Sequence, residues 1–127
     1  MIAEDYVSFE IAKLLKEKGF DKFNTYGWDE QLFDKDHPRN FSIGFDNKEH
    51  WISCPSQSMA MKWLREVYDI FIDIGYDDLD WYWLIESISK DIPYADRPKL
   101  IKNGTACHKT YEEAVEAALK YSLENLI

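Results

Sequence analysis

The stretch that most constrains the fold is residues 69–87, DIFIDIGYDDLDWYWLIES. If the chain turns at Asp77-Asp78, antiparallel pairing sets apolar side chains of the two arms opposite each other on one face. The sequence therefore predicts an antiparallel hairpin with one core face. Its core pairs are Ile74 with Trp81, Ile72 with Trp83, and Ile70 with Ile85. A loop over residues 77–80 keeps the same face inward, whereas an odd loop with a bulge would turn one strand over.

The opposite face of this predicted hairpin is both aromatic and acidic. The same register sets Asp73 opposite Tyr82, Phe71 opposite Leu84, and Asp69 opposite Glu86. Two carboxylates directly across a ladder repel each other, which indicates either a cation between them or a frayed strand end. Two interpretations of the face are open. Either a helix or the 21–39 segment covers Phe71, Tyr82 and Leu84, or the face is an exposed apolar patch rimmed by charge, which is typical of an interaction site.

Negative charge is concentrated in the same region. The chain has a formal net charge of −9, from 24 carboxylates and 15 lysine and arginine side chains. Residues 66–91 contain eight of the carboxylates and one cation, Lys90. The eight are Glu66, Asp69, Asp73, Asp77, Asp78, Asp80, Glu86 and Asp91. Such a surface disfavours direct binding of DNA or RNA phosphates, and in most proteins it serves solubility.

Three amphipathic helices are predicted. The first spans SFEIAKLLKEKGF, with Ser8 as its N-cap and Gly19-Phe20 as a Schellman ending. The second follows Pro55-Ser56. Its apolar face consists of Met59, Ala60, Trp63, Leu64 and Val67. The third begins at a capping box formed by Thr110 and Glu113. Its apolar stripe consists of Val115, Ala118, Leu119, Ser122 and Leu126.

The remaining segments predict further strands. Residues 40–45 and 50–54 are expected to pair as a hairpin, because apolar and small side chains alternate between 41 and 45. Residues 21–39 predict either a short strand or an irregular loop, and Asn103-Gly104 is a turn signal that would close a small ribbon. We expect an α+β fold in one domain, residues 1–127. Two hairpins form an antiparallel sheet of four to six strands, with about three helices packed mainly on one face.

Composition and cysteine usage limit the classes of protein to which the chain could belong. With 127 residues and 46% apolar side chains, the chain is long enough to bury a core. No apolar run approaches the roughly 20 residues of a membrane span, and the acidic start MIAEDYVSFE does not resemble a secretory signal. We therefore expect a cytoplasmic protein without a membrane partner, in which Cys54 and Cys107 are reduced.

Candidate chemistry is sparse. His50 and Cys54 are a strand-local pair, and Cys107-His108 adds two more soft ligands, but adjacent strand residues point to opposite faces and suit a shared zinc site poorly. The aspartates of residues 73–80 do not match a calcium loop. No nucleophile elbow, phosphate loop or dinucleotide fingerprint occurs. We expect no cofactor, no bound metal and no catalytic residue.

Three stretches carry a resemblance: YVSFEIAKLLKEKGF, CPSQSMAMKWLREV and KTYEEAVEAALKYSLENLI. They resemble small uncharacterised proteins of phages and other mobile elements in gut Bacteroides-like bacteria. The resemblance implies an accessory, phage-associated origin in the cytoplasm. It brings no activity, cofactor or catalytic residue to any position here.

These observations favour a non-enzymatic module that binds another protein through the second hairpin. The predicted contact residues are Asp69, Phe71, Asp73, Asp80, Tyr82, Leu84 and Glu86. In a sharper form of this hypothesis, the acidic face imitates a nucleic-acid backbone and occupies a basic groove. Two alternatives remain: an enzymatic or small-ligand pocket between sheet and helices near Cys54 and His50, and a homodimer that buries the sheet face.

Overall fold

The computed structural model describes residues 5–20, 26–29, 38–40, 50–105 and 107–127. Contacts divide the chain into two compact units, Met1–Ser56 and Gln57–Ile127. The expectation of one domain over residues 1–127 stays a prediction.

The two units are built from helices and antiparallel strands. The first contains α1 (Phe9–Glu17), β1 (Tyr26–Asp29), β2 (Arg39–Asn40) and β3 (Trp51–Ser53). The second contains α2 (Gln57–Tyr68), β4 (Ile70–Asp77), β5 (Asp80–Ser87), a 3₁₀ turn (Tyr94–Asp96), β6 (Lys99–Asn103) and α3 (Tyr111–Asn125). The strands form two three-stranded sheets, ordered β2-β1-β3 and β4-β5-β6, and the helices pack against the sheets. The predicted α+β class is confirmed.

Helix α1 begins and ends where the sequence predicts. The Ser8 hydroxyl accepts a hydrogen bond from the Ile11 amide at 3.3 Å, which satisfies one of the first-turn N–H groups. At the other end, Gly19 adopts a φ of 96° and its amide donates to the Lys16 carbonyl. The Phe20 amide donates to the Leu15 carbonyl, which completes a Schellman motif.

The first sheet contains the two described ends of the hairpin predicted for residues 40–45 and 50–54. The central strand is β1, inside the segment for which a strand or a loop was expected, and β2 and β3 pair with it on opposite sides. The described ends, Asn40 and Trp51–Ser53, lie on opposite sides of β1, and the hairpin itself stays a prediction because residues 41–49 lie outside the described residues. Gly27 permits the close pairing of β1 with β3, because a Cβ there would overlap the Ile52 carbonyl.

The second sheet has the predicted core face in a different register. The Ile72 and Ile85 pair and the Ile74 and Trp83 pair lie directly opposite each other, and the tip is the turn at residues 78–79. The expected pairs, such as Ile72 with Trp83, are wrong by two residues. A shift of two keeps every side chain on its face, so the core assignment stands. Ile85 is fully buried in this unit, and the Trp83 ring contacts Tyr121 of α3.

The segment after β5 differs from the expected ribbon. β6 pairs antiparallel with β5, with a bulge opposite Ile85 and Glu86. The chain does not turn back at Asn103-Gly104. Instead the Gly104 amide donates to the Trp83 carbonyl, and farther along His108 forms a bridge with Trp81. Gly104 lies against the Trp83 ring, where a Cβ would overlap the indole.

Helix α3 follows its prediction more closely than α2. Four of the five predicted stripe residues of α3 are fully buried, and the Thr110 hydroxyl accepts from the Glu113 amide at 3.1 Å. The Glu113 carboxylate accepts from the Lys109 amide rather than from that of Thr110, so the box closes one residue early. In α2, by contrast, Met59 and Val67 are exposed. No helix in the described ranges combines the length and apolar character of a membrane span.

Candidate partner-binding face

The surface of interest is the face of the β4-β5-β6 sheet that points away from Trp83 and Ile85. We call it the back face. Alternation along the strands places most of the predicted contact residues there together with two residues of β6. The back face consists of Phe71, Asp73, Gly75, Asp77, Asp80, Tyr82, Leu84, Glu86, Leu100 and Asn103. Of the predicted contact residues, only Asp69 lies outside the strands.

The register gives Asp73 and Glu86 apolar partners, but it places Asp77 directly opposite Asp80 beside the turn. Phe71 lies opposite Glu86, and Asp73 lies opposite Leu84. The expected pairs of Phe71 with Leu84 and of Asp73 with Tyr82 are therefore wrong. An acidic side chain next to an apolar partner avoids the like-charge repulsion that facing carboxylates would cause.

Asp69 is not opposite Glu86, so the predicted carboxylate pair does not form. The residue precedes β4 with a φ of 56°, and its carbonyl accepts a hydrogen bond from the Ile88 amide at 2.9 Å. It connects the end of α2 to the start of the strand. The inference of a cation at this position loses its basis.

Tyr82 is held across the face by a glycine. A Cβ at Gly75, its direct partner on β4, would overlap the outer ring atoms of Tyr82. An aromatic ring that covers a cross-strand glycine compensates for the missing side chain and protects the backbone. The glycine thus determines where the ring lies.

Described residues line a hollow toward each end of the face. A hollow of about 510 Å³ is lined by Phe71, Ile88, Tyr94, Arg97 and Pro98. We call it the Arg97 hollow. Another of about 610 Å³ is lined by Tyr76, Asp77, Tyr82, Leu84, Asn103, Gly104 and Thr105. Both volumes lie within the range of about 300–1,000 Å³ common for ligand sites. Three of the predicted contact residues thus line these hollows, Phe71 in the first and Tyr82 and Leu84 in the second.

The predicted contact residues differ in their exposure to solvent. Phe71, Tyr82, Leu84 and Glu86 are half-buried, which is intermediate between the covered and the open interpretation, while Asp73 is exposed. The Asp80 carboxylate accepts a hydrogen bond from the Lys109 ammonium at 3.0 Å, so its charge is partly compensated within this unit. The exposed acids available to a partner on this face are therefore mainly Asp73 and Asp77.

At the alternative site near Cys54 and His50, the surroundings of Cys54 indicate a structural role for this residue. Cys54 is buried, and its thiol donates to the Val7 carbonyl at 3.4 Å. The neighbouring backbone is joined in the same way, because the Val7 amide donates to the Pro55 carbonyl at 3.1 Å. A buried thiol in this arrangement packs like a small apolar side chain and connects two segments of the first unit.

Neither metal-binding geometry nor similarity to known proteins assigns a function to this face. Within the part of the chain that the structure describes, no group of three or more histidine, cysteine, aspartate or glutamate side chains is arranged to hold a metal ion. Comparison of the chain with protein-family models, with curated proteins and with solved structures finds no match.

Sequence reasoning missed the positively charged border of the back face. Residues 97–109 contain Arg97, Lys99, Lys102 and Lys109 and no carboxylate. This local charge contrast with residues 66–91 was visible in the sequence. By itself this contrast predicted no site, because only the structure shows that residues 99–103 form the outer strand of the same sheet.

Proposed function

We propose that this protein is a non-enzymatic module that binds another protein through the back face of its second sheet. The observation that carries the proposal is the combination, on one face, of half-buried Phe71, Tyr82 and Leu84 with the exposed carboxylates of Asp73 and Asp77. A concave, partly apolar surface bordered by charge is typical of interaction sites.

The charge of the face favours a partner with basic groups. Opposite charges accelerate association, and salt weakens the attraction between exposed groups because the screening length falls to roughly 8 Å at physiological ionic strength. A partner that recognises nucleic acid through a basic groove fits this chemistry, which is the mimicry form of the proposal. Binding should then weaken steeply as salt rises, and a flat salt response would eliminate this form.

The experiment is affinity capture with two matched baits. The Phe71→Ser/Leu84→Ser variant removes two apolar side chains from the back face, and Met59→Ser/Val67→Ser removes two from exposed positions of α2. We expect the first variant alone to lose a partner that the wild type captures. Thermal unfolding of each bait confirms that it is folded.

Loss of the partner with both variants, or with neither, would contradict the assignment to the back face. Size-exclusion chromatography with light scattering on the same proteins tests the homodimer. A dimer that only Phe71→Ser/Leu84→Ser dissociates would make a second copy of this chain the partner.

The cellular setting is part of the proposal. We propose a cytoplasmic, phage-associated protein, in line with the sequence resemblance. Cys107 is an exposed thiol outside any disulfide, and exposed thiols of this kind are more common in reducing compartments. Fractionation of cells that express the native gene tests the location, and recovery with an exported fraction would refute it.

A further inference from the structure

Within the described ranges, β6 is an edge strand of its sheet. Among the described residues it pairs only with β5, and all five of its residues are exposed. Leu100 and Ile101 remain 54% and 40% exposed. An edge strand presents a row of main-chain N–H and C=O groups, and an extended peptide can pair with such a row.

The two faces of β6 have different chemistry. Lys102 lies opposite Ile85 and its ammonium is 5.7 Å from the centroid of the Tyr121 ring, so it belongs to the helix side of the sheet. Lys99, opposite Ser87, is on the same side, whereas Leu100 is opposite Glu86 on the back face. An added strand would thus meet lysines on one face and an apolar side chain on the other.

Arg97 adds a cation beside the start of this strand, and among the described residues it has no carboxylate partner. Its guanidinium carbon is 5.6 Å from the centroid of the Tyr94 ring, and its Nε is buried without an acceptor. In the described part of the chain no carboxylate lies within ion-pair distance of it. A shielded donor without an acceptor is costly, and guanidinium groups bind carboxylates in a well-defined paired geometry.

We propose that β6 accepts an extended acidic segment of the partner protein as a fourth strand. Its carboxylates face Lys99 and Lys102, its apolar side chains pack beside Leu100, and one further carboxylate reaches Arg97 in the Arg97 hollow. The proposal rests on the proposed function, because it names the part of a protein partner that this unit takes. Lysines on an edge strand also protect against unwanted pairing, and the experiment distinguishes the two roles.

The probe is a capped peptide that alternates glutamate and valine over about six residues, the usual length of a strand. An isomer with the same residues in blocks keeps the charge but loses the alternation. Two further versions carry N-methyl groups on one or the other set of alternate amides. In a strand, only one of these sets points toward β6. Titration calorimetry gives the affinities, and amide NMR locates the contact.

We expect the alternating peptide to bind at least tenfold more tightly than its isomer and to slow amide exchange in β6. One N-methylated version should lose at least tenfold in affinity while the other retains it. Lys99→Gln/Lys102→Gln should weaken binding, and so should Arg97→Gln. The control Lys13→Gln/Lys62→Gln removes the same charge from exposed helix positions and should have little effect.

Equal affinity for the isomer, or equal affinity for both methylated versions, would overturn the proposal. The peptide would then bind through non-specific charge attraction alone. Equal effects of the two lysine double variants would also overturn the proposal. Failure here is distinguishable from failure of the proposed function. If the peptide does not bind but Phe71→Ser/Leu84→Ser still loses the captured partner, only the edge assignment is wrong.

Discussion

The contact between Gly75 and Tyr82 predicts that the effect of a Gly75 substitution on stability changes sign with the residue at position 82. Gly75 lies in the middle of β4, and an added Cβ would overlap the Tyr82 ring. The backbone at this position does not require glycine, because its φ is outside the left-handed region. Replacing Gly75 with alanine therefore tests the ring contact rather than backbone strain.

The expected magnitude follows from three terms. In a strand, alanine is favoured over glycine by about 0.5–1 kcal/mol. In the wild type the new methyl group displaces the ring, which loses a cross-strand contact of about 0.2–1 kcal/mol and leaves its preferred rotamer at a cost of about 0.5–1.5 kcal/mol. Gly75→Ala should thus lower the free energy of unfolding by about 1 kcal/mol in the wild type, yet raise it by about 0.5–1 kcal/mol when Tyr82 is alanine.

The assay is urea unfolding of the wild type, both single variants and the double variant. The four free energies of unfolding form a double-mutant cycle, in which we expect a coupling of about 1.5 kcal/mol between the two positions. The same effect of Gly75→Ala in both backgrounds would refute the reasoning. It would show that the ring does not lie over the glycine in solution.

Three further predictions concern stability and reactivity. Ile85→Ala should lower the free energy of unfolding by about 2–5 kcal/mol, because the side chain is fully buried, whereas Leu100→Ala at the edge should change it by less than about 0.5 kcal/mol. Similar effects in urea unfolding would contradict this core assignment. Thr110→Ala should cost about 1 kcal/mol through loss of the helix cap, and an unchanged unfolding midpoint would argue against the cap. Cys107 should react with a thiol reagent in the native protein and Cys54 only after unfolding, and mass spectrometry of the labelled peptides checks the order.

Local features were predictable because their causes are local. The Ser8 cap, the Gly19 ending and the Thr110 cap depend on residues within one turn of each other. The back-face pairings were wrong because a hairpin slipped by two residues buries the same side chains, so the hydrophobic pattern determines the face but not the partners. β1 was not resolved from the sequence, because its pairing with β3 depends on contacts distant in the chain.

Burial along α2 and the extent of the candidate site could not be predicted for a related reason. Met59 and Val67 fit the helical period of the apolar face of α2. Only the middle of that face, at Ala60, Trp63 and Leu64, is buried. The Arg97 hollow was missed because its lining side chains come from β4, from the segment after β5 and from the turn before β6. Only the sheet brings Phe71 close to Arg97.

The observed register also explains how an acidic sheet face remains available for binding. In the expected register, Asp69 would face Glu86 across the ladder, which indicated a cation or a frayed strand end. In the structure, Asp73 faces Leu84 and Glu86 faces Phe71, so these two carboxylates lie beside apolar partners. Asp77 faces Asp80, and the ion pair of Asp80 with Lys109 offsets the repulsion between them. The cations of residues 97–109 lie along the neighbouring edge. A partner that complements this unit must carry positive charge over β4 and negative charge beside β6. A uniformly charged polymer of either sign would be attracted to one part of the surface and repelled by the other.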